Sequence, residues 1–306
     1  MMLGAFASAD RTSARADIDL DPGSRTVVTT GREAVGAVHA AGPGCSVVSG
    51  TCLFCRSDRC AGVSGTVALM CGRYASTRSA ADLATLFEAV DETDGELVAD
   101  FNIAPTDPAP IVRQSSRAET PVVSVARWGL VPAWSRDASG AARMINARAE
   151  TVATSKAFAR SFAERRCLVP ADGWYEWRRL ANAVKQPYFM THSQSLVFGG
   201  IWTSWTANSG HLLTFSILTL PAEGDFALIH DRMPLVLEPS HWVDWLRGAD
   251  PAGLLTAPSV QYRAGIEFRP VSHIVGDVRN DGPDLVRRVA APPLNVSTVD
   301  PTPTLF

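Results

Sequence analysis

Residues 167–177 read CLVPADGWYEW and join two β-like runs, 167–169 and 174–177, through a Pro-Ala-Asp-Gly connection. Short runs of this kind, bounded by Gly, Pro and Asp, are typical of strands. Six more runs of the same character lie elsewhere in the chain, at residues 110–113, 122–128, 187–190, 196–199, 212–218 and 235–237. Many short strands with few helices predict an α+β fold with an antiparallel, barrel-like β core flanked by helices.

Three helices are predicted around this core. Ser79 is a candidate N-cap for a helix whose apolar residues recur at helical spacing as far as Val90. A second helix covers residues 155–164, and Pro239 opens a short third helix that reaches Leu246.

The two ends of the chain differ from the middle. Residues 1–70 are rich in Ala, Gly, Ser and Thr and contain no Trp or Tyr, so they cannot bury enough apolar area to offset the entropy of ordering. They are predicted to be a disordered extension or a stretch upstream of the true translation start. Residues 289–306 are rich in Pro and Thr and predict a disordered tail. Residues 71–288 remain as a single domain.

Composition excludes several classes of protein. The chain has 306 residues, 46% of them hydrophobic, and a net charge of −3, so nucleic-acid binding would need a local basic cluster. We expect no membrane span and no signal peptide, because no apolar run is long enough and the start lacks a basic region before a hydrophobic stretch. The sequence therefore predicts a cytoplasmic protein without paired cysteines.

The pair Met70-Cys71 opens the run Met70-Cys71-Gly72-Arg73-Tyr74. If translation begins at Met70, removal of that Met leaves Cys71 with a free α-amine and a thiol on adjacent carbons, which together can close a five-membered ring on an aldehyde. A terminal amine titrates at about pH 8, so much of it is neutral at physiological pH. If translation begins at Met1 and nothing is cut, this chemistry is impossible. The alternative for Cys71 is a buried structural thiol.

The run Asn146-Ala147-Arg148-Ala149-Glu150 places an amide and a guanidinium on one face of an extended segment. Asn146 could orient an oxygen of a reacting sugar, and Arg148 could hold a phosphate. The alternative is an ordinary turn in which Arg148 pairs with Glu150 in solvent.

Two further residues are candidates for proton transfer. Glu176 lies among aromatic residues in Asp172-Gly173-Trp174-Tyr175-Glu176-Trp177, which favours a desolvated carboxylate. The alternative is an exposed Glu held by Arg178 or Arg179. His230 lies in His230-Asp231-Arg232-Met233-Pro234. Histidine is the side chain type that transfers protons near neutral pH, and Asp231 or Arg232 could set its state. A structural His is the alternative.

Taken together, these segments resemble the SRAP family (SOS response-associated peptidase), whose members crosslink to abasic sites in single-stranded DNA. The resemblance covers residues 71–288. Its only departure is the 70-residue extension, because family members begin at the Cys. The matching motifs are the runs already quoted together with Asn102-Ile103-Ala104-Pro105, Trp128-Gly129, Ala171-Asp172, Lys185-Gln186-Pro187, Pro270-Val271-Ser272 and Val275-Gly276.

The resemblance implies a mechanism of covalent capture. The α-amine of Cys71 attacks C1′ of the ring-opened abasic sugar to form a Schiff base, and the thiol then closes a stable thiazolidine. Glu176 serves ring opening, His230 assists proton transfer and reversal, and Asn146 positions the sugar oxygen.

The resemblance also implies the DNA contacts. Arg73 and Arg148 hold flanking phosphates, and Pro105 is a further DNA contact. Trp134 stacks on or wedges between bases, with core packing as its alternative. A monomer that needs no cofactor or metal is expected, with single-stranded DNA containing abasic sites as the partner.

Three other functions stay open. Cys71, His230 and Glu176 also suit a thiol peptidase that cleaves its own leader, which would give a hydrolase rather than a lyase-like class. The arginines and tryptophans suit a non-covalent single-strand-binding module. A zinc module is the third alternative, built on Cys45, Cys52, Cys55 and Cys60.

Overall fold

The computed structural model describes residues 72–115, 119–180, 184–207, 210–291 and 294. The chain divides into two units, Met1–Ser64 and Gly65–Phe306, and every described residue lies in the second unit. The predicted extension of residues 1–70, the candidate nucleophile Cys71 and most of the predicted tail lie outside the described residues.

The strands of the described residues form one sheet. In chain order they are β1 (Tyr74–Ser76), β2 (Val90–Asp91), β3 (Asp100–Ile103), β4 (Pro108–Gln114), β5 (Pro121–Trp128), β6 (Asn146–Arg148), β7 (Arg166–Arg179), β8 (Lys185–Ala207), β9 (Gly210–Pro221), β10 (Arg232–Pro234) and β11 (Ile266–Pro270). Short α-helices accompany them: α1 (Ala80–Leu86), α2 (Ala149–Val152), α3 (Ala159–Glu164), α4 (Trp242–Arg247) and α5 (Val260–Ala264).

Five of these strands close into a barrel. The sheet runs in the order β8-β9-β5-β4-β7, and β7 pairs with β8 again, which completes the ring. Most neighbours are antiparallel, but β5 and β6 each run parallel to β9, and β2 runs parallel to β5. The prediction of an α+β fold with a barrel-like β core is confirmed, and the parallel pairs are the departure from a purely antiparallel sheet.

The barrel is filled by side chains from its own strands. Trp128 and Phe215 are fully buried side by side on one face of the sheet, whereas Ile201, also fully buried, lies on the opposite face. Gly200 allows β7 and β8 to pack closely, because a Cβ at this position would lie 2.8 Å from Val169 Cγ2 and 2.9 Å from Cys167 Sγ. Burial raises the pKa of the Cys167 thiol, so this free cysteine is a packing residue.

The two longest strands each unite two predicted runs. β7 spans residues 167–169 and 174–177 without a break, since the Pro-Ala-Asp-Gly connection forms a bulge between Ala171 and Gly173. The bulge is held by Asp172, whose Oδ2 accepts hydrogen bonds from the N–H (2.8 Å) and Oγ1 (2.7 Å) of Thr77. The prediction of a strand at residues 235–237 is wrong: β10 ends at Pro234, and Val236 makes only an isolated bridge with Phe198.

The helix predictions hold in part. Ser79 caps α1 as predicted, because its Oγ accepts the N–H of Asp82 at 3.1 Å. The helix ends at Leu86, however, since Glu88 adopts a positive φ of 48°, and Val90 lies in β2 with 51% of its surface exposed. The segment 155–164 is helical only from Ala159, because turns occupy its first residues.

Among the described residues, no helix combines the length and the apolar character that a bilayer span requires.

Candidate active site

Glu176 lies on the inner face of β7 and is 3% exposed. Glu176 and Trp174 share this face because they are two residues apart on the strand. Tyr175, between them, points to the other side and packs on Phe189. Across the sheet Glu176 faces Tyr188 of β8. The alternative of an exposed strand Glu is therefore wrong, and the predicted desolvation of this carboxylate is observed.

The chain upstream of β1 runs toward Glu176. Tyr74 lies opposite Trp174, and the N–H of Tyr175 donates to the carbonyl of Arg73 at 3.0 Å. Continuing this antiparallel register puts Gly72 across from Glu176. Gly72 is the residue bonded to Cys71, which itself lies outside the described residues.

Arg73 is held by protein groups. Its Nη1 donates to Asn102 Oδ1 (2.7 Å) and to the carbonyl of Val275 (2.9 Å), and burial lowers the pKa of its guanidinium. Asn102 is 3% exposed and was not singled out as a functional residue from sequence. Its partners are far apart in the chain, and only the shared motif pattern (Asn102-Ile103-Ala104-Pro105 and Val275-Gly276) signalled it.

Asn146 lies on β6, which runs along β9 with Asn146 beside Ile217. The residue before it is fixed from two sides, because the carbonyl of Ile145 accepts the indole N–H of Trp128 and the N–H of Ile217, each at 2.9 Å. Gly129 follows Trp128 with a φ of 122°, where a Cβ would lie 2.6 Å from the carbonyl oxygen of Ala141. The Trp128-Gly129 motif thus sets the position of Asn146.

Arg148 is exposed at the end of β6, and its charge contributes to lowering the pKa of the Glu150 carboxyl, but the hydrogen bonds of that carboxylate come from another arginine. Glu150 accepts hydrogen bonds from both terminal nitrogens of Arg232. Nη2 lies 2.9 Å from Oε2, and Nη1 donates to Oε1. This bond lowers the pKa of the Glu150 carboxyl. Nη2 of Arg232 also donates to the carbonyl of Thr219 at 2.6 Å. One ion pair therefore joins β10 and β9 to the start of α2.

His230 precedes β10 with its ring 19% exposed. Nδ1 of this ring lies 3.1 Å from the N–H of Arg232, which donates to it, and 2.9 Å from Oδ1 of Asp231. The neutral ring accepts from Arg232 and so carries its proton on Nε2, whereas the protonated ring donates to Asp231. Both neighbouring residues named from the sequence therefore contact Nδ1 of His230.

A buried cluster of five aromatic residues connects these segments; we call it the aromatic cluster. Its rings meet edge-to-face or stacked, with centroids between 5.1 Å (Tyr74–Trp128) and 6.0 Å (Tyr74–Phe198). The members are Tyr74, Trp128, Trp174, Phe198 and Phe226.

Each candidate segment is adjacent to a residue of this cluster or is hydrogen-bonded through one. Tyr74 follows Arg73, Trp174 precedes Glu176 on the same strand face, and Trp128 fixes the residue before Asn146. The carbonyl of Phe226 accepts the N–H of His230 at 3.1 Å. The cluster therefore brings together four motifs that are far apart in the chain.

Trp134 lies away from the packed core and is 69% exposed, so its alternative as a core residue is wrong. It lines a cavity of about 380 Å³ together with Pro132, Arg136 and Arg143. The loop is tied to the barrel by Trp205, whose indole N–H donates to the carbonyl of Ser135 at 2.9 Å. Pro105 is half-buried at the end of β3.

No group of three or more potential metal-binding side chains occurs in the part of the chain that the structure describes. The cysteines of the predicted zinc alternative, Cys45, Cys52, Cys55 and Cys60, lie outside that part.

The family model described as SOS response associated peptidase (SRAP) matches residues 70–278. The chain belongs to the SRAP family, which confirms the resemblance drawn from its motifs.

Three curated relatives illustrate the match. The chain is 32% identical over 225 residues to the abasic site processing protein YoaM of Bacillus subtilis, covering 71% of this chain and 97% of that protein. It is 31% identical over 229 residues to the abasic site processing protein YedK of Escherichia coli, covering 72% and 100%. With the abasic site processing protein HMCES of Gallus gallus, identity is 28% over 258 residues, covering 70% and 76%.

A solved structure supports the fold alone. The crystal structure of a Bacteroides thetaiotaomicron protein superimposes with a TM-score of 0.63 at 24% identity, covering 72% of this chain and all of that one.

Proposed function

We propose that this protein processes abasic sites in DNA, and that it does so by covalent capture through Cys71 as the N-terminal residue. The observation that carries the proposal is the convergence of the Gly72-Arg73, Asn146, Glu176 and His230 segments on one aromatic cluster. Relatives named abasic site processing proteins support the same substrate class.

In the proposed reaction, the abasic sugar opens to its aldehyde with Glu176 transferring the proton. The amine of Cys71 adds to C1′, and loss of one water leaves an imine. The thiol adds to the imine carbon, its proton passes to nitrogen, and a thiazolidine closes. Asn146 orients the sugar oxygen, and His230 moves protons through Nε2 and assists reversal.

The proposed form of the protein begins at Cys71 and comprises residues 71–288 as its working domain, without residues 1–70. The proposed partner is single-stranded DNA containing an abasic site, bound by a cytoplasmic monomer. Arg148 and Trp134 suit this partner because both side chains are exposed, where a phosphate and a base can reach them.

The test uses two chains, one started at Met70 and one started at Met1, each with its first residue determined by intact mass. Each is mixed with a single-stranded oligonucleotide carrying one abasic site and run on a denaturing gel. We expect the Met70 chain to form a complex whose mass is that of protein plus DNA less one water. The Met1 chain, if uncut, forms none.

Two variants of the Met70 chain assign the roles. Cys71→Ala abolishes the complex, and Glu176→Gln slows its formation about 100-fold, the usual scale for loss of a proton-transfer group. Glu119→Gln, an exposed carboxylate, is the matched control and leaves the rate unchanged. Covalent complex in Cys71→Ala, or DNA retention only on native gels, would overturn the proposal in favour of a binding module. Cleavage of the Met1 chain before Cys71 without crosslinking favours the peptidase.

A further inference from the structure

We infer that Asn102 is a positioning residue for the proposed reaction, and that it acts by locking Arg73 and the backbone that carries Cys71. The inference rests on the proposed function and assigns Arg73 to the protein's own framework rather than to a DNA phosphate. Neither residue needs to touch the substrate for this role.

Asn102 satisfies both ends of its amide inside the protein. Its Nδ2 donates to the carbonyls of Asn280 (2.8 Å) and Asp277 (3.1 Å), with the carbonyl of Val275 further away at 3.4 Å. Its Oδ1 accepts from Arg73 Nη1 at 2.7 Å. Two carbonyls and a cation thus meet a side chain that offers two donors and an acceptor.

Neither aspartate nor alanine reproduces this set of contacts. Aspartate would present a second oxygen to the backbone carbonyls in place of the donors, and alanine would leave the carbonyls and the Arg73 guanidinium without their partner in a site that is 3% exposed. The amide at residue 102 is therefore specific for holding the 275–280 segment and Arg73 at the same time.

Arg73 is fixed at both its side chain and its backbone. The guanidinium donates to Asn102 and to the carbonyl of Val275, and its Nη2 lies 3.5 Å from the carbonyl oxygen of Gly276. The backbone carbonyl of Arg73 accepts the N–H of Tyr175 on β7. Burial lowers the pKa of the guanidinium, as expected for a group drawn into the protein.

This double attachment matters because of what precedes Arg73 in the chain. Only Gly72 separates Arg73 from Cys71, and consecutive Cα atoms are about 3.8 Å apart, so the position of Arg73 limits where the amine and thiol of Cys71 can reach. Ring closure requires first the amine and then the thiol of Cys71 to reach the same carbon atom. A displacement of about 1 Å at a reacting group can cost about 100-fold in rate.

The test measures crosslinking of the Met70 chain under single-turnover conditions with saturating abasic-site DNA. DNA affinity is measured separately in a Cys71→Ala background, as a function of salt. We expect Asn102→Ala to slow crosslinking at least about tenfold while leaving affinity within about twofold. Gln261→Ala is the matched control, because this exposed amide on α5 lies outside the set of hydrogen bonds around Asn102. It keeps the wild-type rate.

A second variant guards against misfolding of Asn102→Ala. Arg73→Lys keeps the positive charge, but its ammonium nitrogen is one bond closer to the backbone than Nη1, the atom that bonds both Asn102 and Val275. We expect the crosslinking rate of this variant at saturating DNA to fall, while the dependence of its DNA affinity on salt stays unchanged. A wild-type rate at saturating DNA in the folded variants, or a loss confined to affinity and salt slope, would overturn it and make Arg73 a phosphate contact. Absence of crosslinking by the unmutated Met70 chain would instead overturn the proposed function.

Discussion

Trp174 and Trp134 are the same residue type in opposite settings. Trp174 is 2% exposed in the aromatic cluster, where it stacks on Phe226 with ring centroids 5.9 Å apart. Trp134 is 69% exposed beside a cavity in the loop after β5. The inner tryptophan fixes the residues proposed for chemistry, and the outer one presents a free ring to a ligand. The molecule separates a rigid support from an adaptable surface.

The largest effect is expected in the aromatic cluster. Trp174→Ala removes a ring that also meets Phe198 at 5.9 Å, and it leaves a cavity under the Glu176 strand. We expect the free energy of unfolding to fall by about 3–5 kcal/mol, the usual cost of truncating a buried Trp. Denaturant unfolding measures it.

The matched control for this change is Trp134→Ala, which alters the same atoms at an exposed site. It should leave the free energy of unfolding within about 0.5 kcal/mol of the wild type. Equal losses in the two variants would contradict the division into support and surface.

The sequence predicted the strands well where apolar runs were long. Residues 122–128 and 212–218 became β5 and β9 because their burial follows directly from local hydrophobicity. The helix prediction failed at Val90. The spacing of apolar residues placed Val90 in the first helix, but the positive φ of Glu88 follows the end of that helix, and Val90 is exposed in β2. A single local conformation outweighed the periodicity.

The sequence predicted which residues belong to the candidate site, but it did not predict the contacts between them. The motif pattern pointed to Glu176 and His230, yet the Arg232–Glu150 pair and the Asn102–Arg73 bond join positions 82 and 29 residues apart. Such pairs depend on how β10, β9 and β3 are arranged in the closed sheet. No spacing rule within one segment predicts them.

The second prediction tests the outer region. In a Cys71→Ala background, Trp134→Ala should weaken binding to abasic single-stranded DNA by about 1–3 kcal/mol, the usual value of a base–aromatic stack. Fluorescence anisotropy with a labelled oligonucleotide measures it. Trp134→Phe keeps a ring and should bind nearly as well as the parent, so equal losses in both variants would argue against stacking.

The smallest effect is expected at the Arg232–Glu150 pair, which joins β10 to α2. Arg232 lowers the pKa of Glu150, so the pair contributes stability above the unfolded carboxyl pKa of about 4.3 and loses it as pH falls through the lower folded value. Glu150 is 46% exposed, which screens the pair, and Glu150→Gln should therefore cost only about 1 kcal/mol or less at pH 7.

The pH dependence separates this charge effect from simple loss of packing. The difference in unfolding free energy between wild type and Glu150→Gln should shrink as the carboxyl is protonated in acid, whereas a packing defect would persist at every pH. Denaturant unfolding at neutral and acid pH distinguishes the two, with Glu119→Gln as the exposed control. A difference that does not change with pH would mean that shape, and not charge, joins β10 to α2.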